Sequence, residues 1–337
     1  MSAGAADRRG VACVGNWLLD IVHDIPAWPQ KSDLVRISAQ TSGLGGGAAN
    51  VAADLVAMGV SYPVVPVGLV GAGGLGDEML LLCERAGLDV SRIGRTGAAA
   101  TSQTHVMNVP GDSRTFFYHS GVNDLLDPAR IDVAGLAAQG LRIFYLGYLN
   151  LLAALDRIGP GGRTVAADVL AEARAQGMMT CVDLVSSQSE TYRETVFGTL
   201  PEIDVLFLNE VEAVRATGIG ISAAADVDGM VRAAQALVRG GVRRAVILHS
   251  AERSVWLEEG EAHVHVPEPV PADQIISPVG AGDAFAAGII HGLHEGWSRE
   301  ECLALACNAA GACLKGQTAT DGLGTFLLEE ARGRMPG

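Results

Sequence analysis

The sequence predicts an α/β fold built on a mostly parallel sheet with helices on both faces. Two observations carry that reading. Short apolar runs of strand character alternate with helical patterns along most of the chain, the rhythm that sandwiches a parallel sheet between helix layers. Two of the helical patterns also open on glycine clusters, Gly45 to Gly47 and Gly280 to Gly282, where backbone can come close to a neighbour or a ligand.

The elements follow in order. Val11 to Gly15 reads as a buried strand, Ala48 to Met58 as a helix stopped by Gly59, Pro63 to Val67 as a strand and Asp77 to Ala86 as a helix. Further strands are predicted at Arg142 to Leu146, Met179 to Asp183, Val205 to Leu208 and Ala245 to Leu248, with helices at Val165 to Ala175 and Val227 to Arg239. Leu18 to Leu44 and Ala99 to Asn123 break the rhythm. Both read as extended hairpin material, the second around the turn Pro110-Gly111-Asp112. Met1 to Arg9 is small and polar and is expected to be a loose tail. The 337 residues are read as one domain with an inserted piece.

Composition narrows the function classes. Hydrophobic residues make up 49% of the chain, ample for a core. No apolar run reaches the roughly 18 residues of a membrane span, and no signal-peptide pattern is visible. The six cysteines show no CxxC spacing and sit in apolar segments, as buried reduced thiols of a cytoplasmic protein do. A net charge of −14 argues against a nucleic-acid partner, whose phosphates need a basic face. An anionic ligand would have to be held by backbone N–H groups, a few arginines and a metal.

The run Ser277-Pro278-Val279-Gly280-Ala281-Gly282-Asp283 meets that requirement. A helix start leaves four N–H groups unpaired and carries partial positive charge, so Gly280, Ala281 and Gly282 read as an anion hole. Asp283 in the first turn would be held ionised, where a base must stand to orient a hydroxyl attacking a phosphoryl group. Taken alone the motif is equally a Gly-rich cap with an N-terminal Asp. Asn209 and Glu212, three apart after the strand Val205 to Leu208, share one face of a first helical turn. They read either as an Asn cap with its Glu or as a handle for Mg²⁺ and phosphate. Gly71-Ala72-Gly73-Gly74-Leu75-Gly76 matches a dinucleotide-binding pattern, but no acidic residue follows about 20 positions on, so a structural turn is expected. Lys31 and Lys315 are the only lysines and neither follows a Gly, which excludes a Walker loop.

Gly45, Gly46, Asn50 and Ala52, taken with Gly280-Ala281-Gly282-Asp283, resemble the two signatures of the ribokinase-like (PfkB) family of small-molecule kinases, in the family's order along nearly the whole chain. The resemblance implies a three-layer α/β/α fold with a small β lid from about 18–44 and 99–123, a lid that often makes a homodimer. It implies ATP as co-substrate with Mg²⁺, and a sugar as acceptor. Under it Asp283 is the catalytic base, Asp20, Gly46, Gly47 and Asn50 bind substrate, Asn209, Ser250 and Asn308 bind ATP, and Glu212 holds Mg²⁺ through water. A nucleoside kinase or a weakly catalytic ligand-binding relative remain as alternatives.

Several positions depart from the family pattern. Leu18 stands where ribose-binding members often carry Asn, and Tyr145 to Leu149 offers no Glu where ribokinases have one. Both changes point away from ribose. Only the first Asp of an Asp-x-Asn-x-Arg stretch survives, at Asp183, and the Thr-x-Gly nucleotide loop becomes Leu248-His249-Ser250. Ser277 replaces an Asp that helps bind potassium, so the resemblance does not extend to a monovalent cation. Phe116, Phe117 and Tyr118 are expected to pack the lid strand, with stacking on a base as the alternative.

Overall fold

A computed structural model describes residues 8–110 and 114–325. Strand β1 (Val11–Gly15) leads into β2 (Leu18–Asp24), β3 (Ala39–Gly45) and helix α1 (Gly47–Ala57). Strand β4 (Val64–Gly71), helix α2 (Gly74–Arg85) and β5 (Ile93–Thr96) follow, then β6 (Gln103–Asn108) and β7 (Thr115–His119). Helix α3 (Val133–Ala138), strand β8 (Ile143–Leu149), the short α4 (Ala153–Asp156) and α5 (Val165–Ala175) lead to β9 (Met179–Leu184) and α6 (Tyr192–Thr199). Strand β10 (Val205–Asn209), α7 (Glu210–Thr217), α8 (Val227–Arg239) and strands β11 (Ala245–His249), β12 (Ser254–Glu258) and β13 (Glu261–His265) come next. Helices α9 (Ala281–Glu295) and α10 (Arg299–Cys313) close the fold.

Among the described residues the main sheet runs β13-β12-β11-β10-β9-β8-β1-β4-β5. It is parallel except at one edge, where β12 and β13 are antiparallel. Its central strands are apolar on both faces because both faces are covered. In β10, Leu206 and Leu208 enter a core shared with α5 and α8, while Val205 and Phe207 enter a second core against α1, α9 and α10. The three-layer expectation holds. Strand β4 runs on to Gly71, past the predicted end at Val67, because Gly68 is a packing position: a Cβ there would collide with the Trp17 indole.

The two irregular stretches form a separate four-stranded sheet, ordered β3-β2-β6-β7. Strand β2 pairs parallel with β6, and the outer pairs are antiparallel. Asp20, Thr104 and Tyr118 stand opposite one another across three strands of this lid. Phe116 and Phe117 are each 52% exposed, not packed as expected, because β7 is the lid's edge and no described strand pairs beyond it. Gly111 and Asp112 of the predicted turn lie outside the described residues, as do residues 1–7 of the predicted tail. Arg8 and Arg9 are tied down: Arg8 donates to the Leu141 carbonyl at 3.1 Å and Arg9 pairs with Glu295 at 2.9 Å. All six cysteines are free thiols, and among the described residues no helix is long and apolar enough to cross a membrane.

Candidate active site

Helix α9 starts without a side-chain cap. Its N-cap Gly280 has φ 85°, and a Cβ there would run into the Ala319 carbonyl, so only glycine fits. The helix start faces a cleft of about 640 Å³ whose wall includes Gly280, Ala281 and Gly282, with the Ala281 N–H already donating to the Pro278 carbonyl at 3.4 Å. Asp283 is buried on the same wall. Its Oδ2 accepts hydrogen bonds from Asn50 Nδ2 and from the Tyr148 hydroxyl, each at 2.8 Å, while Oδ1 has no partner. Burial pushes the carboxyl up to about 6 and outweighs those two hydrogen bonds, which lower it. The carboxyl is thus less firmly ionised than the helix start alone predicts, yet still mostly charged at neutral pH.

The Gly45-Gly46-Gly47 run works by permitting close approach. A Cβ at Gly45 would lie 2.5 Å from the Asp20 carboxylate, one at Gly46 (φ 96°) 2.5 Å from the Asn16 carbonyl, and one at Gly47 2.7 Å from the Tyr148 ring. Gly46 and Gly47 are buried and set the entry of α1, so that Asn50 in its first turn reaches Asp283. One turn later Asp54 is fully buried with neither carboxyl oxygen paired, and burial drives its pKa far above the usual carboxylate range.

The cleft is bounded on its other sides by Asn209, Glu212, His249, Phe285, Cys307 and Leu314. Asn209 and Glu212 form a capping box on α7: Asn209 Oδ1 accepts from the Glu212 N–H and Glu212 Oε2 from the Asn209 N–H, both at 2.9 Å. Glu212 Oε1 accepts from the Ser186 hydroxyl at 3.0 Å. Both sequence readings of this pair are thereby compatible, since the capped carboxylate still faces the cleft. Of the predicted nucleotide contacts, Ser250 lines the cleft and Asn308 does not. The Ser250 hydroxyl donates to backbone, to the Ala224 carbonyl, and accepts from the Glu252 and Arg253 N–H groups, so a tight turn occupies it. Helix α10 presents Cys307, Gly311 and Leu314 to the cleft, spaced i, i+4, i+7, and Asn308 is one position off that face and outside the lining.

His249 ends β11, between Leu248 and Ser250. Its ring lies 4.9 Å from that of Phe285 and borders Gly282, and desolvation lowers its pKa to about 4, so it is neutral.

On the acceptor side the space is nearly closed. Asp20, Val22, Gly43, Val106, Arg114 and Thr318 surround about 10 Å³. Arg114 Nη1 donates to Ser277 Oγ at 2.6 Å, fastening the lid to the segment ahead of the anion hole, and its charge faces Asp20 and Asp24. Burial lifts the Asp20 carboxyl to about 7 against a hydrogen bond from Thr104. Leu18 is buried beside Gly45, in the position the sequence marks as apolar.

A family model described as pfkB family carbohydrate kinase matches residues 8–325. The chain belongs to that family. Among PfkB relatives, the ketohexokinase of Mus musculus is 22% identical over 317 residues, 90% of this chain and 96% of the relative. A cytidine kinase of Thermococcus kodakarensis is 29% identical over 145 residues, 42% of this chain and 49% of the relative. The Arabidopsis thaliana ribokinase is 32% identical over 116 residues, 34% of this chain and 30% of the relative. The last two matches span about half of the relative or less. The fold is that of solved PfkB-type structures. Arabidopsis ribokinase complexed with ribose and ATP superimposes with TM-score 0.76 at 22% identity, covering 94% of this chain and 95% of that one. A nucleoside kinase of Methanocaldococcus jannaschii gives 0.73 at 16% identity, covering 97% of both.

The sequence reading missed Tyr148, Arg114 and His249 as site residues. Tyr148 carried a local signal only in retrospect, as one of two hydroxyls in an otherwise apolar strand. Among the described residues no group of three or more His, Cys, Asp or Glu is arranged as a metal cage. One capped Glu212 beside Asp183 and Asp283 on an anion-binding cleft suits Mg²⁺, which keeps most of its waters and takes phosphate oxygens.

Proposed function

We propose that the protein transfers the γ-phosphoryl group of ATP to a hydroxyl of a small carbohydrate, free or as the sugar of a nucleoside. The carrying observation is that Asp283 lies on the wall of the cleft, with Oδ1 unpaired, Oδ2 held by Asn50 and Tyr148, and its charge felt by Asp20. The acceptor hydroxyl donates to Asp283 Oδ1 and its oxygen attacks the γ-phosphorus in line. The proton passes to Asp283 as the P–O bond to ADP breaks. The Gly280 to Gly282 backbone stabilises the charge on the transferring group, and Asp20 accepts from sugar hydroxyls to hold the acceptor. Mg²⁺ would be held through water by Glu212 and would neutralise phosphate charge; a structural neighbour from E. coli was solved with ATP and Mg²⁺.

The test is ADP formation, with identification of the phosphorylated product, for ribose, fructose, adenosine and cytidine in the presence of ATP and Mg²⁺. Acceptor-dependent turnover with at least one of them is expected, and ribose is expected to be poor because Leu18 replaces a polar partner. Ligand binding without any acceptor-dependent ADP formation would favour the ligand-binding alternative.

A further inference from the structure

The C-terminal end of α9, about three turns beyond Asp283, carries a buried histidine that the kinase reading does not use. His294 is only 1% exposed. Its Nε2 accepts the Gly10 N–H at 2.8 Å, immediately ahead of β1, and its Nδ1 lies 2.7 Å from Glu295 Oε1. These two contacts fix the tautomer. A backbone N–H can only donate, so Nε2 is the bare nitrogen and Nδ1 carries the proton that Glu295 accepts. The neutral ring is thereby paired at both nitrogens. A second proton would have to sit on Nε2, pointing one N–H at another.

The groups around the ring come from several elements. Tyr62, between α1 and β4, stacks on His294 with ring centroids 3.7 Å apart, and its hydroxyl lies 3.1 Å from His291 Nδ1, one turn earlier on α9. Cys13 of β1 faces Tyr62, and burial pushes its thiol up. Arg142, just ahead of β8, donates from Nη1 to the His294 carbonyl at 2.5 Å, and Arg9 pairs with Glu295 at 2.9 Å. Burial opposes a charged ring, Glu295 favours one, and the charges of Arg9 and Arg142 oppose it again, so the His294 pKa is lowered. Gly10 is the joint between these parts. Its carbonyl accepts the Arg142 and Ile143 N–H groups at 3.0 and 3.2 Å, so the contact to His294 ties the entry of β1 to both α9 and β8.

We propose that His294 is an acid-sensitive latch: the neutral ring clamps the entry of β1 to the end of α9, and a second proton on Nε2 releases residues 8–10. The latch is independent of the kinase reading. In the released segment the ring regains its ordinary value of 6.5, above that of the closed state. The clamp is therefore fully present above that pH and is lost as pH falls below it, with opening growing by up to about tenfold per pH unit. Amide hydrogen exchange of the full chain, corrected for the intrinsic rate and followed from pH 7.5 to 5.0, reads this opening at Gly10. Opening there is expected to grow about tenfold or more, while the amides of α5, remote from the cluster, change far less. His294→Gln keeps an acceptor and cannot titrate, so Gly10 should open equally at both ends of the range. His294→Phe keeps the ring on Tyr62 but removes the acceptor, so Gly10 should exchange fast throughout. Thermal unfolding at pH 7.5 verifies that each variant is folded. A Gly10 amide whose opening ignores pH in the parent, or His294→Gln that opens with acid as the parent does, would overturn the latch. The parent profile decides even without the variants: a rise at Gly10 matched by an equal rise in α5 is global unfolding, and it would overturn the latch too.

Discussion

The two sides of Asp283 are built from different materials. On the nucleotide side the cleft is wide, about 640 Å³, and its anion-binding groups are backbone N–H groups exposed by Gly280 and Gly282. On the acceptor side about 10 Å³ is left between side chains, chiefly Asp20, Arg114 and Thr318. A phosphate presents the same oxygens in every nucleotide, so a backbone cradle suffices for it. A sugar is told from its neighbours by the placement of hydroxyls, which only side chains can read. Under the proposed function, the contrast means that one half of the site performs a shared step while the other half sets the substrate.

Substitutions at the junction and on each side separate these roles. Asp283→Asn keeps the shape of the carboxyl and removes the base, so kcat should fall roughly 10²- to 10⁴-fold. Binding of an ATP analogue, read by calorimetry, should persist. Next in size is Arg114→Met. Loss of a charge-assisted hydrogen bond to Ser277 should raise the acceptor KM by roughly 10- to 100-fold, with the ATP KM unmoved. An equal rise in both would mean that Arg114 serves the nucleotide side. Glu212→Gln should be milder. Gln can keep the bond from the Asn209 N–H, so the fold survives, while the Mg²⁺ concentration for half-maximal rate rises roughly tenfold. A collapse of acceptor affinity with unchanged Mg²⁺ dependence would move Glu212 to the other compartment.

The same division explains what could be read from the chain. The glycine start of α9 was legible because a left-handed N-cap pressed against Ala319 demands glycine, and a glycine requirement is visible in sequence. Strands β8 to β11 were legible because a sheet covered on both faces needs continuous apolar runs. The partners of Asp283 were not. Asn50 is 233 residues away and Tyr148 is 135, and nothing local in either segment says that both meet one carboxylate. Asn308 was misplaced by a single residue of helical phase, which turns a side chain about 100° away from the cleft. Ser250 had the right chemistry, but its turn consumed the hydroxyl. Burial is equally invisible in a motif: the helix start argues for a low pKa at Asp283, and desolvation reverses the sign against the hydrogen bonds from Asn50 and Tyr148.

That reversal gives the most direct test of the central claim that Asp283 is the base. The measurement is the pH dependence of kcat/KM in the parent and in Tyr148→Phe. Asp283 must be ionised to accept the proton, so the rate should be sustained above its pKa and fall as pH drops through about 6. Protonation of Asp20 near 7 weakens acceptor binding at the upper end of the same limb. The Tyr148 hydroxyl lowers the pKa of Asp283 and makes no contact that lowers that of Asp20, so Tyr148→Phe should shift only the component near 6, and shift it to higher pH. A profile flat from pH 5 to 8, or a limb that Tyr148→Phe leaves in place, would contradict the assignment.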